Sequence, residues 1–217
     1  MKRLVALTLA LFVLPTVALA AGGSHDETER LNRADMALAK RAAVRKSDLV
    51  TGWRLVRAGR PEKSDLPCAF DPDLSAFVLT GLYETRFSHS SAGAQLVSGL
   101  GVFRNVRDAA ADFRASAKPG FLRCLRGAMV AGARQAHLRA RVTTSRMSTT
   151  PRIGAQSVSY RVVAVVAATE RTPQFRMYMD MLAFRQGRSQ AVLLSSAPMA
   201  PLQGQLALAR SVARRMR

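Results

Sequence analysis

Cysteine, aromatic residues and acids are all scarce in this chain, and each shortage narrows what the protein can be. Two cysteines in 217 residues are too few for a disulfide-dense scaffold or a four-thiolate zinc site. One tryptophan and three tyrosines lie too far apart in sequence to define a carbohydrate platform. Fourteen acidic residues face 33 basic ones, and His occurs three times, so paired-carboxylate and histidine-centred chemistry have little to work with. No Gly-x-Ser-x-Gly, His-Glu-x-x-His, Gly-x-Gly-x-x-Gly or phosphate-binding glycine-rich loop occurs, which removes the usual hydrolase, zinc-protease and nucleotide-binding signatures. Beyond the first twenty residues no apolar run reaches the ~20 residues a membrane-crossing helix requires.

Those first twenty residues have a different character. Lys2 and Arg3 precede an almost wholly apolar run from Leu4 to Leu14, Pro15 breaks it, and Ala18-Leu19-Ala20 supplies a small-x-small cleavage pattern. This is the layout of a secretory signal peptide. The expected organisation is a signal peptide over 1–20, a flexible extension over 21–29 and a single domain over 30–217. The mature chain is then secreted or extracytoplasmic, in the cell envelope or periplasm. Ala21-Gly22-Gly23 follows the cleavage point, with no cysteine there for a lipid anchor. In an oxidising compartment Cys68 and Cys124 form an even pair and read as a disulfide.

The formal charge is +19. A basic chain invites a nucleic-acid reading, but export argues against such a partner. Arginine outnumbers lysine 28 to 5 and recurs in every segment, a bias a G+C-rich genome produces without selection. Acidic envelope polymers or anionic lipid headgroups are the counter-charges available outside the cytoplasm. Hydrophobic content of 48% suffices for a core.

Along the chain, Ser24-His25-Asp26-Glu27 has the form of a capping box. It precedes a helical stretch with Leu31, Ala34, Leu38 and Ala42 at helical spacing. Trp53–Ala58 suits a short strand, and 59–72, with three prolines, reads as loop. Phe77–Phe87 and Ala94–Phe103 alternate as a hairpin, with Glu84 and Arg86 facing away from the apolar side. Asn105 caps a helix carrying Val106, Ala109, Ala110 and Phe113, and Pro119-Gly120 separates it from a second helix bearing Cys124. Strands are expected over 136–147, 155–167, 175–185 and 189–197, the last pair joined by a tight turn at 185–188. A closing helix starts near Pro201. The fold class is α+β: a mostly antiparallel sheet of about six strands with helices packed on it.

Several features recur together. They are the Leu-x-x-Gly-Trp segment at 49–53, a cysteine ahead of the first long strand, and Val102-Phe103-Arg104 leading into an alanine-rich helix with a second cysteine. Phe184 to Arg188 then turns a late hairpin before an arginine-rich C-terminal helix. This combination resembles the exported sensor-type domains of actinobacteria, similar to the extracellular domain of a mycobacterial serine/threonine kinase and to PsbP-like envelope lipoproteins. The resemblance spans roughly residues 30–217. It implies an α/β/α sandwich with a binding or sensing role and no catalytic set. The chain departs from it in having one cysteine pair, no lipid anchor and no kinase domain.

The functional expectation is a secreted, non-catalytic binding or sensor-like domain at the cell envelope, with no cofactor or metal. An enzyme such as a hydrolase with an unrecognised site, and a structural envelope protein, are the alternatives. Two constellations could carry ligand. His137, Arg139 and Arg141 alternate onto one strand face and Arg176 onto the polar face of another, forks suited to phosphate or carboxylate. Met177, Met179 and Met181 share one face and could line an apolar pocket.

Overall fold

The computed structural model describes residues 27–61, 74–90, 93–117, 119–135, 138–147, 152–167 and 173–217. Eight strands form one sheet: β1 (Thr28–Glu29), β2 (Trp53–Gly59), β3 (Val78–His89), β4 (Gln95–Phe103), β5 (Ala140–Arg146), β6 (Gln156–Val166), β7 (Phe175–Gln186) and β8 (Ser189–Pro198). Four helices accompany them: α1 (Arg33–Ala42), α2 (Val106–Ser116), α3 (Pro119–Gln135) and α4 (Gln205–Arg215). The sheet order is β1-β3-β4-β8-β7-β6-β5, with β2 also paired to β3. The β1–β3 pairing is parallel and the other described pairings are antiparallel.

The sheet thus holds eight strands where about six were expected. The surplus includes β1, whose two residues carry no periodic pattern. Hydrogen bonds from Thr28 N to Phe77 O and from Arg30 N to Leu79 O anchor it. Residues 28–29 therefore belong to the sheet, although they fell within the expected extension. The first helix begins correspondingly later. Its cap is Asn32, whose Oδ1 accepts from Asp35 N at 2.9 Å, so Ser24 does not open this helix. Asn105 caps α2 in the same way, accepting from Asp108 N at 2.8 Å, as its side chain and position foretold.

Helices cover both faces of the sheet. On one face Ala39 and Ala42 of α1 and Ala209 and Val212 of α4 pack on Trp53, Phe87, Leu96, Leu100, Phe184 and Leu193. On the other, Phe113 of α2 and Met129 of α3 pack on Val158, Tyr160, Val162, Met177, Met179 and Met181. Strand alternation assigns odd β7 residues to the second face and even ones to the first. Two buried faces explain why Glu84, expected to point to solvent, is only 2% exposed. Its charge is met by Arg86 two residues along the same strand. The β7–β8 turn needs Gly187, with φ +58, a conformation costly for residues with a Cβ.

Ion pairs tie the helices to the sheet and to one another. Arg188 in that turn clasps Asp35 of α1, with Nη1 donating to Oδ2 at 2.8 Å, and also donates to Phe103 O at 3.1 Å. Its guanidinium, opposed only partly by burial, holds the Asp35 carboxyl well below the usual carboxylate range. Arg215 of α4 likewise grips Asp48 through Nη1 at 2.9 Å and Nη2 at 2.8 Å.

Candidate functional site

Register decides whether the expected arginines meet. Arg141 of β5 stands opposite Val165 of β6, and Val165 stands opposite Arg176 of β7. Residues directly opposite in an antiparallel ladder project to the same face, so Arg141 and Arg176 flank Val165 in one row. Strand spacing puts their Cα atoms ~10 Å apart. Arg139 lies two residues before Arg141 and so on the same face, roughly 7 Å along the strand. Its carbonyl accepts from Ala167 N at 2.9 Å, which extends the ladder through this row. All three arginines are exposed, and among the described residues none of them enters an ion pair. His137 lies outside the described residues.

The face they share is the one that α1 and α4 cover elsewhere. Gln205, at the start of α4, donates to Asp180 O of β7 at 3.1 Å and Leu193 O of β8 at 3.0 Å, which places the helix end over β7 and β8. Beyond it Thr143 and Ser145 are exposed and Val163, Val165 and Tyr178 half-buried. The result is an open platform of arginine, hydroxyl and short apolar groups. One further arginine sits on it. Arg161 grips Asp180 as a two-pronged fork, Nε to Oδ1 at 2.6 Å and Nη2 to Oδ2 at 2.8 Å. That bond raises the Arg161 pKa and satisfies the acid on this face.

The charge has a stronger pattern than the even scatter of arginines suggests. No Asp or Glu occurs from Phe113 to Thr169, while Arg114, Lys118, Arg123, Arg126, Arg134, Arg139, Arg141, Arg146, Arg152 and Arg161 all do. That stretch builds the end of α2, α3, β5 and β6. Of the described acids, Glu27, Glu29, Asp35, Asp48, Glu84, Asp108 and Asp112 lie before it in sequence, and Asp180 follows it on β7, held by Arg161. Glu27, Glu29, Asp35, Asp48 and Glu84 sit on β1, α1, β3 and nearby loops toward the opposite edge of the sheet, and Asp108 and Asp112 sit on α2 over its middle. Absence of acids, not concentration of the arginines, makes the α3–β5–β6 stretch positive. An acid-free run of this length is a signal that the even recurrence of arginine masks.

The methionine stripe has a different fate. Met177, Met179 and Met181 are 4–7% exposed and packed among Phe113, Met129, Tyr160 and Val162 beneath α2 and α3. They are core residues, and their flexible thioethers fill the space between two helices and the sheet. Cys68 lies outside the described residues, and the Cys124 side chain does too.

One polar cluster was not foreseen. Asp112 of α2, fully buried, accepts from Gln190 Nε2 at 2.6 Å, and the same amide donates to Ala109 O at 2.8 Å. The Asp112 carboxyl also meets that of Glu27, itself 8% exposed. Burial pushes the Asp112 pKa up to about 7, against the opposing pull of Gln190 and Glu27. Two adjacent carboxyl groups in this setting share a proton. Glu27 and Asp112 are 85 residues apart, so no local spacing signalled the contact.

Among the described residues no group of three or more His, Cys, Asp or Glu could hold a metal ion, and no helix is long and apolar enough to cross a membrane. Compared with known protein families, curated protein sequences and solved structures, the chain matches none.

Proposed function

We propose that the chain is an exported, non-catalytic binding domain of the cell envelope that takes an oxyanion-bearing ligand on the open β5–β6–β7 face. The observation that carries this reading is the shared row of Arg141 and Arg176 with Arg139 beside it. Guanidinium forks pair two-pronged with phosphate or carboxylate, and among the described residues these forks enter no ion pair. The acid-free stretch 113–169, which builds α3, β5 and β6, supplies a positive field that draws anions toward the row.

Export rests on the signal-like residues 1–20, and the Cys68–Cys124 disulfide belongs with it. The sensor-type, PsbP-like reading agrees with helices on both faces of a sheet. The methionines stay in the core in this account, and no apolar ligand is invoked.

The test compares two triple variants of equal charge. R139Q/R141Q/R176Q removes the row; R30Q/R54Q/R210Q removes three exposed arginines elsewhere. Binding of polyphosphate, measured by calorimetry, should fall about tenfold more in the first than in the second, because only the first removes fork contacts. Equal losses would show that the charge acts only as a diffuse field.

A further inference from the structure

The arginine row occupies one face of the edge strand β5, and a second basic surface lies on its other face. Exposed Arg123, Arg126 and Arg134 and half-buried Val130 follow one another along one stripe of α3. The spacing i, i+3, i+7, i+11 keeps them on a single side of the helix. Met129 and Ala133 form the adjoining, buried stripe.

Between this stripe and β5 runs an open groove of about 510 Å³, lined by Arg126, Val130, Ala140, Arg141, Val142 and Thr144 among others. A second concavity of about 670 Å³ continues along α3 past Arg123 and Arg134. The two share Arg126 and Val130, so they form one path. Arg123 and Arg134 are eleven residues apart, or ~16 Å along the helix axis.

Arg141 joins the two surfaces. It borders the groove, and it stands in the row with Arg176 on the far face. No strand pairs with the outer edge of β5 among the described residues, so nothing described interrupts a path around that edge. Neither α3 nor β5 carries an acidic residue.

Resting on the binding reading above, we infer that the ligand is an extended, flexible polyanion. It lies in the α3–β5 groove, crosses the β5 edge at Arg141 and continues onto the Arg139–Arg176 face. A single phosphate can engage only one part of this path. A chain of them engages all of it, and charge complementarity over such a length favours a polymer with repeated oxyanions. A planar membrane meets one face at a time and cannot follow the turn.

The experiment measures binding of tripolyphosphate, long-chain polyphosphate, polyglutamate of matched length and anionic phospholipid vesicles. The proteins are the mature chain, the groove variant R126Q/R134Q, the face variant R139Q/R176Q and the distant control R30Q/R210Q. All variants should be matched to the parent by circular dichroism before titration. Long-chain polyphosphate should lose roughly tenfold affinity in both the groove and the face variant beyond the control. Tripolyphosphate should respond to the face variant alone. Parallel behaviour of polyglutamate would assign the site to oxyanion polymers generally; failure of polyglutamate to bind would narrow it to phosphate. A groove variant that behaves like the control overturns the wrapped path, yet leaves the face reading intact if the face variant still weakens binding. A face variant that behaves like the control overturns both. Vesicles bound as tightly as long polymer at equal anionic charge, with the groove variant unaffected, would replace the polymer by a membrane.

Discussion

The buried Glu27–Asp112 contact makes a quantitative prediction about stability and pH. Below its ordinary pKa of 3.8 the Asp112 carboxyl is protonated in both folded and unfolded chains and contributes nothing. Between 3.8 and about 7 the unfolded chain releases the proton while the folded chain retains it, so stability falls as pH rises. Above about 7 the deficit is constant. The span from 3.8 to about 7 corresponds to about 4 kcal/mol. Asp112→Asn removes the ionisation and keeps the geometry. Its amide oxygen can accept from Gln190, and its amide nitrogen can donate to Glu27. Urea denaturation near pH 4.5 and near pH 8 isolates the effect, because other titrating groups cancel in the difference between parent and variant. The variant should be within about 1 kcal/mol of the parent at the lower pH and more stable by roughly 2–4 kcal/mol at the higher one. An equal difference at both pH values, or a variant weaker near pH 8, would refute the shared proton.

Three further outcomes follow from the packing and covalent framework. Gly81→Ala should cost about 2–3 kcal/mol in urea denaturation, since an added Cβ meets the Asp35 backbone and α1 must move away. Arg188→Gln should cost about 1–2 kcal/mol near pH 7, a figure reduced for the partial exposure of Arg188. Because Asp35 has a depressed pKa, that difference should be present above pH 3.8 and shrink as pH falls below it; a difference that persists undiminished in acid would refute the ion pair. If Cys68 and Cys124 are bonded in the exported protein, reduction should lower stability by about 4 kcal/mol in the chain-entropy account. Thiol labelling of both residues in the unreduced, unfolded chain would show that no bond exists.

How legible all this was depended on whether the signal was local. Asn105 and the Pro119-Gly120 break marked the boundaries of α2 and α3, because capping and proline act within a turn of the helix. The alternation of β4, β6, β7 and β8 gave their extents to within a few residues. By contrast, β1 is two residues long and held by a distant strand, so no periodicity could announce it. Alternation places Glu84 away from the apolar side, but it shows only that two faces differ and not that helices cover both. At the site, the sequence put Arg139 and Arg141 on one face, but only register could set Arg176 opposite the same valine. The acid-free run is legible in the sequence only where acids and arginines are read together, because arginine alone recurs in every segment. The Asp112–Glu27 contact had no sequence signal.

The most direct test of the central claim is an amide chemical-shift titration of the isotopically labelled mature protein with tripolyphosphate at physiological salt, where the Debye length is ~8 Å. Saturable shifts should concentrate at residues 139–143, 163–167 and 174–178, around the row of Arg141, Val165 and Arg176. Weak, unsaturable shifts spread equally over arginines of α1 and α4, such as Arg33 and Arg210, would contradict a positioned site and leave only a diffuse positive charge.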